Sequence, residues 1–442
     1  MATNALHVPE FIDRQPVSRY QIMIVVLCFL IVAIDGFDTA SIGFIAPAIR
    51  AEWGLSPVQL APVFGAGLVG LMCGALFIGP FADRFGRKSV LLGSVALFGL
   101  MSLLSAASTS LQMLIALRFL TGLGLGGAMP NAITLTAEYC PERRRSMMVM
   151  AMFCGFTLGS ALGGLAAASL VEAYGWHSVL VIGGVLPLVL LPLLAALLPE
   201  SARYLMVKGQ RPAEVLRILG RIAPGRVPAG ATLAAPPQSP AGSPVSHLFR
   251  PELLRGTLLI WLAFFCSMLV IYLLSSWLPT VLKSTGATLK AAALVTMLFQ
   301  VGGTIGTLVL GWLMDRLDPH RVLAVTYVLA GLCIAAIGAA GSRHTLVGVL
   351  VFLAGFGVSG GQVGANALSA ALYPTDCRAT GVSWANGIGR MGSVLGSMGG
   401  GAMLSMGLGL PALFAVVGVP AVLAGLTLAA LGMRRAPALR PA

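Results

Sequence analysis

Twelve stretches of this 442-residue chain, each about 20 residues or longer, are too apolar to be exposed to water. They cover roughly 21–48, 58–80, 88–108, 110–137, 146–171, 177–198, 255–281, 289–314, 321–341, 345–372, 379–406 and 409–432. A segment in lipid must satisfy its backbone polar groups internally, so it is a helix or part of a closed barrel. The alternating pattern of barrel strands is absent. The expected fold class is therefore all-α, with twelve transmembrane helices. The first stretch is too long for a signal-peptide core and no A-x-A site follows it, so it is read as a span. Charged residues make up only 10% of the chain, against roughly 25% in soluble domains, which excludes a water-soluble globule. The seven cysteines (Cys28, Cys73, Cys140, Cys154, Cys266, Cys333, Cys377) lie in or beside the apolar stretches without a CxxC pair and read as small hydrophobes.

The net charge of +13 resolves by position. With both termini inside, the inner segments hold 22 of the 28 Lys and Arg residues, the outer loops hold four (Arg50, Lys283, Lys290, Arg343), and Arg118 and Arg390 fall within spans. Basic residues stay on the cytoplasmic side, so this ratio sets the orientation and makes nucleic-acid binding unnecessary. The expected organisation is a cytoplasmic tail over 1–20, a six-helix bundle over 21–199, a cytoplasmic linker over 200–254, a second bundle over 255–433 and a tail over 434–442. Within the linker, Val215, Leu216, Ile218, Leu219 and Ile222 predict a short amphipathic helix on the inner membrane face. The Pro-, Gly-, Ser- and Ala-rich stretch that follows predicts a flexible connection.

The two halves repeat. Gly79 to Arg84 after span two is matched by Gly311 to Arg316 after span eight, an offset of 232, since 311 − 79 = 232. Pro141 and Arg145 after span four are matched by Pro374 and Arg378 after span ten, an offset of 233, since 374 − 141 = 233. Two six-helix halves related by a parallel repeat are the plan of a major facilitator transporter.

The motifs narrow this further. Gly79-Pro80-Phe81-Ala82-Asp83-Arg84-Phe85-Gly86-Arg87-Lys88 resembles the loop signature of the major facilitator superfamily. Three more stretches are Asp35-Gly36-Phe37-Asp38, Gly126-Gly127-Ala128-Met129-Pro130-Asn131 running to Glu138, and Gly387-Ile388-Gly389-Arg390-Met391-Gly392. Together they resemble the aromatic acid:proton symporters, bacterial inner-membrane importers of benzoate-like acids, from about residue 18 to 432. The resemblance implies that Asp35 and Asp38 form the acidic pair needed for transport. It also implies that Asp83 is the aspartate of the loop signature, that Arg118 and Glu138 are the charged positions of span four, and that Asp315, Arg378 and Arg390 are those of the second half. The second loop keeps Asp315 and Arg316 but lacks the Gly-Arg-Lys ending.

The residues carry a chemistry of their own. A charge within a bilayer costs about 2.5–3.5 kcal/mol on insertion scales, so Asp35, Asp38, Arg118 and Arg390 each need a partner or a wet cavity. A structural ion pair between Arg118 and either aspartate is one reading; a substrate site is the other. Arg390 lies near the middle of its span, whereas the second-half acids Glu252, Asp315, Asp318 and Asp376 sit at or near the inner face. A substrate carboxylate, which accepts two parallel bonds from a guanidinium fork, suits Arg390. Asn386 lies one turn earlier on the same face, and Gln300, Gln362 and Asn366 are further polar groups within spans, suited to substrate or to interhelical bonding. Phe37, Tyr272, Trp277 and Trp384 can offer ring faces or pack. All five histidines lie at span ends or in loops, which leaves Asp35 or Asp38 as the proton-coupling group. Asp83, Arg84, Arg87 and Lys88, with Gly79, Gly86, Glu138 and Arg145, and Asp315, Arg316 and Arg378 in the second half, are the expected gating elements.

No metal-ligand or catalytic cluster and no G-K-[ST] loop occurs, so no enzyme, cofactor or ATP-driven pump is expected. Gly122 to Gly127 formally contains GxGxxG but sits in an apolar span, where it reads as helix packing. The expected partners are an aromatic acid anion, protons and the lipid bilayer, with the protein acting as a monomer. Gly155, Gly159, Gly163 and Gly164 leave a proton-coupled exporter as the alternative. Pro199-Glu200-Ser201-Ala202-Arg203 resembles a sugar-porter loop, although a neutral sugar gives Arg390 no counter-charge.

Overall fold

The structure, a computed structural model, describes residues 5–433 apart from 80, 209–211, 228–231, 234–244, 342 and 375–376. Pro80 and the side chain of Asp83 in the loop motif, Asp376, most of the Pro-rich linker and the 434–442 tail lie outside the described residues.

Among the described residues, twelve long helices account for most of the chain. They are α1 (Arg19–Trp53), α2 (Pro57–Phe77), α3 (Arg87–Ala106), α4 (Leu111–Tyr139), α5 (Glu142–Tyr174), α6 (His177–Leu197), α7 (Pro251–Ser284), α8 (Leu289–Arg316), α9 (Pro319–Ala339), α10 (His344–Leu372), α11 (Arg378–Ser405) and α12 (Leu410–Gly432). Eleven are long and apolar enough to cross a membrane. The exception is α11, whose 28 residues suffice in length but whose Gly, Ser and Arg content lowers its hydropathy. Several helices begin at a side-chain cap: Ser110 accepts from Met113 N, Thr288 from Ala291 N, and Asp318 from Arg321 N. Each cap satisfies an amide that the helix leaves open.

The chain forms two compact units. The first comprises 1–38, 69–159 and 180–239; the second comprises 39–68, 160–179 and 240–442. The boundaries fall inside α1, α2, α5 and α6. The core of the first unit is built around Phe98, Leu125, Leu135 and Tyr139. Val8 and Ile12, from the short helix Val8–Asp13, are part of it, as are Val215, Ile218, Leu219 and Ile222 from the helix Pro212–Ile222. The apolar face of that linker helix is thus spent on the protein's own core. A two-residue parallel pairing of Ala5–Leu6 with Thr232–Leu233 joins the two segments. The second unit packs around Phe264, Phe299 and Tyr327. In it the Phe64 ring meets Trp277 edge-on at 5.1 Å, and Trp277 Nε1 donates to the Ser397 carbonyl at 2.6 Å.

Close helix crossings repeat with the sequence. In the first unit, a Cβ on Gly70 or Gly74 would strike the carbonyl oxygen of Phe119 or Leu123 respectively. In the second unit, a Cβ on Gly302 or Gly306 would strike that of Phe352 or Phe356. The offsets are 302 − 70 = 232 and 352 − 119 = 233, the same as those of the loop motifs. Crossings of α2 with α4 and of α8 with α10 are therefore the same device used twice, backbone against backbone with no side chain between.

Overpacking such a crossing costs about 1–3 kcal/mol. Gly74→Ala and Gly306→Ala should each lower the thermal unfolding midpoint of the detergent-solubilised protein. Gly93→Ala, where a Cβ meets nothing within 4 Å, should leave it unchanged or raise it. Equal midpoints for all three variants would show that the crossings tolerate a methyl group.

Candidate functional site

In the first unit α1 brings Asp35, Phe37 and Asp38 to buried positions, the two carboxylates at 1% exposure each. Arg118 of α4, at 3% exposure, is aimed at Asp38. Its Nη1 donates to Asp38 Oδ1 at 3.3 Å and its Nη2 pairs with Oδ2. Ser102 of α3 donates its hydroxyl to the same Oδ1 at 2.6 Å. On α6, Gly183 leaves room: a Cβ there would lie 3.4 Å from Asp38 Oδ1 and 3.6 Å from the Phe37 ring. Four helices thus frame one carboxylate. The guanidinium offsets its charge and the hydroxyl satisfies a further lone pair, as a buried ion pair requires. Asp35 precedes Asp38 by three residues and shares its helix face.

The polar groups of the second unit lie on α7, α8, α10 and α11. Arg390 is half-buried, and its Nη1 donates to the Tyr272 hydroxyl at 3.0 Å. Asn386 donates its amide to Asn366 Oδ1 at 3.2 Å, and Asn366 donates to the Gln362 carbonyl at 3.1 Å. Gln300 donates to the Ser275 hydroxyl at 3.3 Å. Gln362 is only 5% exposed, yet neither side-chain polar atom has a hydrogen-bond partner among the described residues. Trp384 is not drawn into this group. It is 42% exposed and stacks on Trp261 at 5.7 Å, and it lies six residues from Arg390, on a different face of α11.

The loop motif forms a third cluster, again within the first unit. Gly86 has φ of +94°, a conformation that L side chains rarely adopt, and a Cβ on it would displace the Glu200 carboxylate. Arg87 pairs with Glu138 at 3.0 Å, both about 15% exposed (16% and 14%). Ser201 donates its hydroxyl to the other oxygen of Glu138 at 2.5 Å. Glu200 accepts from the Lys88 amide at 3.1 Å and the Ser201 amide at 2.8 Å. It thereby supplies the cap that the start of α3 lacks in its own sequence. Lys88 Nζ donates to the Ala195 carbonyl at 2.6 Å. Exposed Arg84 lies over the Phe85 ring, and its carbonyl accepts from the Tyr204 hydroxyl. Gly79 closes the end of α2, its amide donating to the Gly74 carbonyl at 3.1 Å.

The repeat-related Arg145 and Arg378 behave alike. Their Nε atoms donate to the Ala137 and Tyr373 carbonyls, at the ends of α4 and α10 respectively. A cation there complements the negative end of the helix dipole. Asp315 and Arg316 are exposed, and Arg316 lies 4.3 Å from the Trp312 ring centroid.

The family model described as Major Facilitator Superfamily matches residues 28–351 and 260–442. The chain belongs to the major facilitator superfamily. It is 49% identical over 431 residues to a gallate transporter of Pseudomonas putida, a match covering 97% of this chain and 96% of that one. It is 48% identical over 425 residues to the 4-hydroxybenzoate transporter PcaK of Pseudomonas aeruginosa, covering 96% and 95%. Among solved structures, a bacterial homolog of the human lysosomal transporter Spinster superposes with a TM-score of 0.74 at 18% identity, covering 95% of this chain and 98% of that one. The all-helical superfamily fold and the multi-pass membrane location follow.

Sequence reasoning missed three partners in this superfamily member. Ser102 is a hydroxyl buried within an apolar helix, a signal easily read as packing. Glu200 and Ser201 stand in the stretch resembling a sugar-porter loop, which pointed to a substrate and not to the ends of α3 and α4.

Breaking a buried ion pair on one side costs about 3–5 kcal/mol. Asp38→Asn alone should therefore destabilise the protein strongly, and adding Arg118→Gln should recover a good part of the loss. Thermal unfolding of both singles and the double would measure the coupling; strictly additive losses would mean that the two groups do not depend on each other.

Proposed function

We propose that this major facilitator transporter imports an aromatic carboxylate, of the hydroxybenzoate or gallate kind, together with protons. In this reading it works as a monomer in a bacterial inner membrane, with both termini cytoplasmic and six-helix halves over 21–199 and 255–433 alternating access. The observation that carries the reading is near-half identity along almost the whole chain to transporters of gallate and of 4-hydroxybenzoate. The carboxylate is taken by Arg390, whose planar fork matches two carboxylate oxygens and whose orientation the Tyr272 hydroxyl supports. Asp38 is already balanced by Arg118 and Ser102, so Asp35 is the group that accepts and releases the transported proton. Arg87, Glu138, Glu200 and Ser201 hold the cytoplasmic ends of the first-half helices in one state and part in the other.

One proton per monoanion moves no net charge. Accumulation then follows the pH gradient at about tenfold per pH unit, without the potential's contribution of about 2.3 kcal/mol per charge per 100 mV. Proteoliposomes holding the protein should accumulate labelled 4-hydroxybenzoate down an imposed proton gradient, and a protonophore should abolish the accumulation. Asp35→Asn should lose accumulation but keep substrate exchange, which needs no net proton release. Efflux of lipophilic cations with no acid uptake would overturn the assignment.

Arg390→Lys tests the anion site separately. It keeps the charge and loses the fork, so uptake should fall at least tenfold. Unchanged affinity in this variant would remove bidentate recognition from the mechanism.

A further inference from the structure

We propose that Gln362 recognises a ring hydroxyl of the transported acid and so sets the preference for hydroxylated over unsubstituted benzoates; this rests on the assignment of the carboxylate to Arg390.

The argument begins with register. Helices α10 and α11 follow one another through a short connection (373–377) and are antiparallel neighbours, tied by the bond from Asn386 to Asn366. In an antiparallel pair, residues facing each other have a constant sum of numbers. Asn366 and Asn386 give 366 + 386 = 752, and Gln362 and Arg390 give 362 + 390 = 752. Gln362 therefore stands opposite Arg390, about one helical turn, roughly 6 Å, beyond the Asn366–Asn386 rung.

The second observation is the state of the amide. Gln362 is 5% exposed, and both its Nε2 and its Oε1 lack hydrogen-bond partners among the described residues. Other buried or half-buried amides of this region are used: Gln300 on Ser275, Asn386 on Asn366, Asn366 on a carbonyl. Leaving a buried amide open at both ends is costly, and such groups call for an explanation. An amide presents a donor and an acceptor side by side. A carboxylate can only accept and an unsubstituted ring edge does neither, whereas a phenolic hydroxyl both donates and accepts. The group that satisfies both ends of Gln362 while a carboxylate occupies Arg390 is a hydroxyl on the same ring. A site built to bond a hydroxyl rejects the analogue lacking it far more strongly than an apolar pocket can, because its own polar groups stay open.

The test is equilibrium binding to the purified full-length protein, with benzoate and 4-hydroxybenzoate as probes. The wild-type protein should prefer 4-hydroxybenzoate at least tenfold. Gln362→Leu and the straighter Gln362→Met should weaken 4-hydroxybenzoate at least tenfold and leave benzoate within about twofold, so that the preference collapses. Equal losses for both acids would place the amide on the carboxylate or give it a packing role, and would overturn the proposal, as would no loss for either. Should neither variant fold, the wild-type protein still decides: 4-fluorobenzoate, which has no proton to donate, should bind like benzoate, and binding equal to 4-hydroxybenzoate would overturn the proposal. Failure of the wild-type protein to bind either acid would instead sink the aromatic-acid reading beneath it.

Discussion

The cost of holding charge inside an apolar chain governs this molecule. Twelve helices of membrane-spanning length leave few places where an ionised group is solvated by water, and the two units answer the difficulty differently. In the first, a carboxylate on α1 is matched directly by a guanidinium on α4, with a serine hydroxyl completing the shell. The charges are then committed to one another, and removing either leaves the other exposed to the low dielectric. In the second, Arg390 donates to the Tyr272 hydroxyl, and the same helix α11 is tied to α10 by Asn386 and Asn366. Tyr272 thus orients the guanidinium through a neutral hydroxyl.

Helix packing supplies the frame within which those side chains are aimed. The paired crossings of α2 with α4 and of α8 with α10 press glycine against backbone carbonyls at matching sequence offsets. Contacts of this kind fix distance more rigidly than interdigitated side chains, because neither backbone has rotamers to adjust. On α4, Phe119 is the next residue after Arg118, and on α10, Phe356 lies six residues, under two turns, before Gln362. The geometry of each polar group is therefore anchored by a repeated apolar contact.

Much of this was legible in the sequence. Helix number and extent follow from length and apolarity, which the bilayer imposes directly; even α11, with its glycines and arginines, begins and ends within a residue of the expected 379–406. The close helix packing expected of Gly122 to Gly127 is likewise present, since Gly124, Gly126 and Gly127 abut α2 and α3 or the turn after α2. What could not be read was rotation. Asp35 and Asp38 share a face at a spacing of three, and only the orientation of α1 against α4 decides that Asp38 meets Arg118. The same limit put Trp384 among the ring-binding candidates, although α11 turns it to Trp261. Glu200 and Ser201 lay in a stretch whose local pattern pointed elsewhere, since capping α3 from more than a hundred residues away is a tertiary event. The open amide of Gln362 belongs to the same class: the residue was visible, but whether its bonds were used was not.

The repeat also explains why the loop cluster exists in one half only. Adding the offsets carries Arg87 to Pro319 (87 + 232 = 319) and Glu138 to Ala371 (138 + 233 = 371). The second half thus has neither member of the ion pair at the matching positions, while Asp315 and Arg316 are exposed. Exposed charges contribute about 0–1 kcal/mol to stability, whereas a pair as sheltered as Arg87 and Glu138, with a serine on the second oxygen, is far more sensitive to losing a partner. Among the described residues, the sheltered ion pair of the loops lies in the first copy. The second copy keeps the helix-end arginine, Arg378, which needs only a carbonyl and not a counter-charge. The two halves thus share the same glycine crossings at matching offsets, while the buried Asp38–Arg118 pair and the sheltered Arg87–Glu138 pair both belong to the first.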